Sequence, residues 1–135
     1  MINEIVQKWI KKALEDFRVI ENELTFPEKK LVTSMICFHC QQFIEKSLKG
    51  YLSYKNIDFG KTHDLEVLLK TCVKEDKDFS DLDIKDLTFY AVEVRYTDEF
   101  YVPTVTEAKE SYEVAKKVKK LVFEKLSIKN EKDLK

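Results

Sequence analysis

Glycine and proline are nearly absent, with two of each in 135 residues. A chain so poor in turn formers has few tight hairpins and favours long helices. Cysteine is also scarce. Three residues, an odd number, do not make a disulfide framework and fit reduced thiols. No apolar run approaches the roughly 20 residues that cross a bilayer. The start, Met1-Ile2-Asn3-Glu4-Ile5-Val6-Gln7-Lys8, shows no basic segment leading into an apolar one. The expected compartment is therefore the cytoplasm, with no membrane partner. There is no glycine-rich phosphate loop, which excludes a P-loop or dinucleotide fold on motif grounds, and no Gly-x-Ser-x-Gly elbow. No cofactor is expected.

What is present is a balance of 44% hydrophobic and 36% charged residues, the composition of a globular chain. The length fits one domain over 1–135, with a core at about 3–127 and a tail at 128–135 expected to fray. A net charge of −1 offers no general attraction for nucleic acid and argues against double-stranded DNA. The charge is uneven, however. Residues 109–135 hold nine Lys and five acids, which predicts a basic last helix with a solvated face.

Apolar spacing predicts five helical segments and no sheet. The first runs from about Asn3, a candidate N-cap, to Leu24, with Val6, Trp9, Ile10, Ala13, Phe17, Ile20 and Leu24 in one stripe. Pro27 breaks the chain before a second helix from about Glu28 to Tyr54, striped by Leu31, Met35, Phe38, Ile44, Leu48 and Leu52. Gly50 inside it costs about 1 kcal/mol relative to alanine, which points to close packing there. Thr62 is the expected cap of a short third helix that buries Leu65, Leu68, Leu69 and Cys72. Glu75 to Asp83 reads as an acidic loop. A fourth helix is predicted from about Leu82 to Glu99, burying Leu87, Tyr90 and Val94. Pro103 precedes a fifth, striped by Ala108, Tyr112, Ala115, Val118, Val122 and Leu126. The fold class is all-α: an up-and-down four-helix bundle with an additional short helix.

Several polar residues stand out against this frame. Gln42, Glu45 and Lys49 fall at i, i+3 and i+7, hence on one face of the second helix, with Gln41 beside them. They read either as an exposed face with local ion pairs or as a polar cleft. Arg95 is one of only two arginines among 24 basic residues, so its planar fork suggests a carboxylate or phosphate partner. It adjoins Tyr96. A structural ion pair, for instance with Glu45, is the alternative. His39 and His63 are the only histidines. Cys37-Phe38-His39-Cys40 contains a Cys-x-x-Cys pair, but mid-helix and without a second paired cluster, which reads as core rather than as a redox or zinc site. No metal is expected.

The order Cys40-Gln41-Gln42-Phe43-Ile44-Glu45-Lys46-Ser47-Leu48-Lys49, then Thr62-His63-Asp64-Leu65, then Arg95-Tyr96 resembles the HEPN family. These are small all-helical domains of prokaryotic toxin–antitoxin pairs and RNA-cleaving systems. The resemblance spans about Val6 to Leu126, and its motifs are short, so their order and spacing carry it. It implies a homodimer, a minimal nucleotidyltransferase as partner protein, and a nucleotide or RNA bound through Gln42, Glu45, Lys49, Arg95 and Tyr96. Many members are metal-independent ribonucleases in which an arginine is followed four to six residues later by a histidine. Here those positions are Glu99, Phe100 and Tyr101. Cleavage wants a proton carrier that titrates near neutrality, a role for which tyrosine, with its ordinary pKa of about 10, is poorly suited. The expectation is a nucleotide- or RNA-binding subunit with weak or absent ribonuclease activity. One alternative is an active endoribonuclease with Arg95 on phosphate and His39, His63 or Tyr101 as a displaced acid–base group. Another is a non-catalytic protein-interaction scaffold.

Overall fold

A computed structural model describes residues 2–85, 87–88 and 101–134. Four α-helices have bounds among the described residues: α1 (Glu4–Glu23), α2 (Thr33–Tyr54), α3 (Leu65–Glu75) and α4 (Val105–Leu126). Short 3-10 turns lie at Glu28–Lys30, Lys77–Asp81 and Glu131–Asp133. There is no strand among the described residues. The all-helical bundle follows the expectation, and α4 is the helix predicted as the fifth. Of the helix predicted at Leu82 to Glu99, Leu87 is buried. Phe89, Tyr90, Val94, Arg95, Tyr96 and Glu99 lie outside the described residues.

α1 begins where its cap predicts, with the Asn3 side chain accepting from the Val6 N–H at 3.0 Å. Its buried stripe, Val6, Ile10, Ala13, Phe17 and Ile20, packs on α2. Gly50 faces Ile10, Phe43 faces Phe17 and Lys46 reaches Asp16, so later residues of α2 meet earlier residues of α1 and the two are antiparallel. A Cβ added to Gly50 would stand 2.9 Å from Ile10 Cδ1 and 3.2 Å from Trp9 Cβ. The glycine is there because the helices touch. Along α4 the order runs the other way. Thr33 donates to the Pro103 carbonyl and Ser111 to Cys37 Sγ, so α4 is parallel to α2.

Several features depart from the sequence reading. α2 starts at Thr33 rather than Glu28, because the chain makes a 3-10 turn after Pro27 and then extends through Leu31. The Val32 N–H is instead satisfied by the Glu23 carboxylate at 3.0 Å. Met35, placed in the buried stripe by spacing, is 44% exposed, while Ile36, Cys37 and Cys40 are buried. The cap of α3 is Asp64, which accepts from the Glu66 N–H at 2.9 Å, while Thr62 supports Asp64 one step earlier. The acidic segment after α3 contains a 3-10 turn that buries Phe79 against Tyr51, 4.6 Å between centroids. α4 opens with a reciprocal capping box between Thr104 and Glu107 and closes at Ser127 with φ 59°. After it, the segment expected to fray carries a buried Ile128 and a 3-10 turn capped by Asn130.

Candidate functional site

α2 is the central helix. α1, α3 and α4 all pack on it, and from Phe43 to Leu52 only Lys46 is not buried. Polar groups in that stretch are shut off from water; Glu45 and Lys49 find partners inside the protein, whereas the Ser47 and Tyr51 hydroxyls have none among the described residues. Glu45 is 4% exposed and Lys49 5%. Gln41 donates to Glu45 Oε1 at 3.1 Å, and Lys49 donates to Oε2 at 3.1 Å. His63, from the turn before α3, places Nδ1 3.0 Å from the same Oε2. Gln42 donates to the Gln41 side-chain Oε1 at 2.6 Å and extends the network outward. Three of the five predicted ligand-binding residues, Gln42, Glu45 and Lys49, are thus brought together, and one predicted histidine joins them. Arg95 and Tyr96 lie outside the described residues.

The arrangement is a carboxylate held from three sides. Its Lys49 partner is enclosed by aromatic rings, with Nζ 5.5 Å from the Trp9 centroid and 5.6 Å from that of Phe59. Cation–π attraction and the ion pair together offset the desolvation of the ammonium. Of the two alternatives left by spacing, the exposed face is excluded for Glu45 and Lys49. Only the rim faces solvent. The His63 side chain is 79% exposed. Because a carboxylate accepts, the contact turns the Nδ1–H inward and leaves Nε2 for a ligand.

A second histidine–carboxylate pair was not anticipated. Asp16, 7% exposed on α1, receives Lys46 at 2.6 Å and lies 2.7 Å from His39 Nδ1. The available signal was an acidic residue inside the apolar stripe of α1, between Ala13 and Phe17. His39 therefore belongs to an α1–α2 tie rather than to the Glu45 network. Tyr101 is also elsewhere. Its hydroxyl donates to Glu107 Oε1 at 2.5 Å, at the capping box of α4. Cys37, Cys40 and Cys72 are buried free thiols. Burial pushes Cys37 up to about 11 and Cys72 up to about 12, and raises Cys40 as well. They are protonated, small apolar residues at neutral pH, not the thiolates of a redox pair. No cluster of three metal-ligating side chains occurs among the described residues.

Fold and site together define a small all-helical domain whose central helix carries a buried polar network with a histidine at its rim. A family model for the HEPN domain matches residues 6–126, most of the chain. The protein belongs to that family. Comparisons with curated proteins and with solved structures gave no significant match. No helix among the described residues is long and apolar enough to cross a membrane.

Proposed function

We propose that this HEPN-domain protein is the dimeric, nucleotide- or RNA-binding subunit of a two-component, toxin–antitoxin-like module whose partner is a minimal nucleotidyltransferase. The observation that supports this reading is the division of labour around Glu45. The carboxylate and Lys49 are consumed by one another inside the fold, while Gln42 and His63 are held at the rim by the same network. A buried, satisfied network fixes the geometry of whatever projects from it. The rim offers hydrogen-bond donors and acceptors suited to a base edge or a phosphate, and Arg95 and Tyr96 are proposed to complete it. The histidine that HEPN ribonucleases carry after the arginine is replaced by Glu99, Phe100 and Tyr101, so weak or absent cleavage is expected.

One observation favours the nuclease alternative. His63 Nδ1 is oriented by a buried carboxylate and its Nε2 is left open, the disposition of an acid–base histidine. Incubating the purified chain with a mixed fluorescent RNA in chelator, beside Arg95→Ala and His63→Ala, separates the readings. The binding-subunit reading expects a dimer by light scattering and no cleavage. It also expects saturable binding of a labelled nucleotide or short RNA that weakens at least tenfold in Gln42→Ala. Cleavage lost in both control variants would replace it with a metal-independent nuclease. A folded monomer with neither activity would overturn both.

A further inference from the structure

A second surface carries chemistry that the Glu45 network does not use. α1 and α4 each pack on α2, and across the space between them they meet through side chains, with Phe17 and Tyr112 5.8 Å apart between centroids. The result is an open groove of about 480 Å³. Its floor is aromatic. Phe17 and Phe123 are nearly buried, and Tyr112 is half-buried. Its lining also includes Lys116, Lys119, Lys120 and Lys129, against two carboxylates, Glu21 and Glu124. Lys116 is held by Glu113 at 2.8 Å, and that hydrogen bond raises its pKa. Lys119, Lys120 and Lys129 form no ion pair among the described residues. Instead, Lys119 lies over the rings of Phe17 at 4.5 Å and Phe123 at 5.5 Å, and Lys116 over Tyr112 at 4.7 Å.

We propose that this α1–α4 groove is a binding site for single-stranded nucleic acid, taken without strong sequence preference. Such a strand asks for two things at once: cations along its phosphates and aromatic or cationic surfaces against its bases. The groove supplies both within one small volume. The volume is that of a small-ligand cleft, about 300–1,000 Å³, which suits a short stretch of strand rather than a duplex. An acidic peptide would match the lysines but leave the aromatic floor unused. The basic C-terminal segment, within a chain of net charge −1, thereby acquires a role. This site does not rest on the reading of the Glu45 network, and its test touches no residue of that network.

The test is fluorescence anisotropy of the full chain with a labelled eight-nucleotide oligouridylate across 50–200 mM salt. With three unpaired lysines at about 0.7 per single-strand phosphate contact, log K should fall with log salt at a slope of about −2. That corresponds to roughly a 20-fold loss of affinity over the range. Lys120→Glu/Lys129→Glu reverses two exposed charges without touching the aromatic floor. It should weaken binding at least tenfold and flatten the slope to about −0.7. Lys70→Glu/Lys74→Glu makes the same charge change on exposed positions of α3 and should leave binding within twofold. Three results would overturn the site: no binding at 50 mM salt by protein whose circular dichroism shows it folded, equal loss in both double variants, or competition by polyglutamate as effective as by oligouridylate.

Discussion

The Glu45 network and the α1–α4 groove are both built from lysines and aromatic rings, yet they solve opposite problems. In the network, Lys49 is enclosed by Trp9 and Phe59 and neutralised by Glu45 at 3.1 Å. In the groove, Lys119 lies over Phe17 and Phe123 with no carboxylate bound to it among the described residues. The same cation–π contact is a lid over a buried ion pair in one place and stands without a direct ion pair among the described residues in the other. Burial decides the difference. A buried ammonium must carry its counter-charge with it, whereas a half-buried one such as Lys119 still reaches water and can take its counter-charge from a ligand. The network should therefore govern stability and the groove should be nearly neutral to it.

The largest break in that comparison comes from Glu45→Ala. It strands a buried Lys49 and removes the acceptor of Gln41 and His63, and should cost about 3–5 kcal/mol, read as the shift of a urea unfolding midpoint. Glu45→Leu/Lys49→Met removes both charges from the same enclosed space and should recover most of the loss, because the penalty belongs to the unpaired charge. His63→Ala, at the exposed rim, should cost under about 1 kcal/mol. A loss below about 1 kcal/mol for Glu45→Ala would show that water reaches Lys49 and that the network is an ordinary surface.

A smaller effect tests how dry the same helix is. The thiols of Cys37 and Cys72 are raised from 9.0 to about 11 and about 12 by burial. A raised pKa in the folded state gives stability that is complete below the unfolded value and lost as pH climbs toward the folded one. Stability should thus be flat to about pH 9 and then fall by on the order of 1 kcal/mol per thiol by pH 10. Urea midpoints from pH 7 to 10.5 read this directly. Cys37→Ala should remove its own share of the alkaline slope while lowering stability at neutral pH, and an unchanged slope would mean that this thiol is not shielded.

Much of this was legible because it is local. The Asn3 cap, the α1 stripe, the close packing at Gly50 and the shared face of Gln42, Glu45 and Lys49 all follow from spacing along one helix. Errors arose where a distant residue decided the outcome. The start of α2 moved to Thr33 because Glu23, nine residues back, satisfies the Val32 N–H. Phe79 was lost in an acidic segment because its partner is Tyr51. The aromatic cover of Lys49 comes from Trp9 and Phe59, and the floor of the groove from Phe17 on one helix and Tyr112 and Phe123 on another. Charge counting found the basic helix but had no means of placing rings beneath it. His39 and His63 sit in different sequence motifs, yet sequence could assign catalysis to neither; only the fold sends one to Asp16 and the other to Glu45.

The smallest effect is also the sharpest discriminator. Lys120 is exposed on α4, with the like charges of Lys116 and Lys117 four and three residues before it and the carboxylate of Glu124 four after, so two repulsions outweigh one attraction, each worth about 0.2–0.5 kcal/mol. Lys120→Ala should leave stability unchanged or raise it by a few tenths of a kcal/mol at low salt. At 1 M salt the screening length falls to about 3 Å and the gain should vanish. Urea midpoints at 20 mM and 1 M salt give both values. A residue that serves packing behaves in the opposite way: removing it destabilises, and salt changes little. A loss above about 1 kcal/mol for Lys120→Ala would make the groove a structural surface and erase its contrast with the Glu45 network. A small, salt-sensitive gain would mean that α4 tolerates repulsion in the absence of an anion, as a surface does when its counter-charge arrives with a ligand.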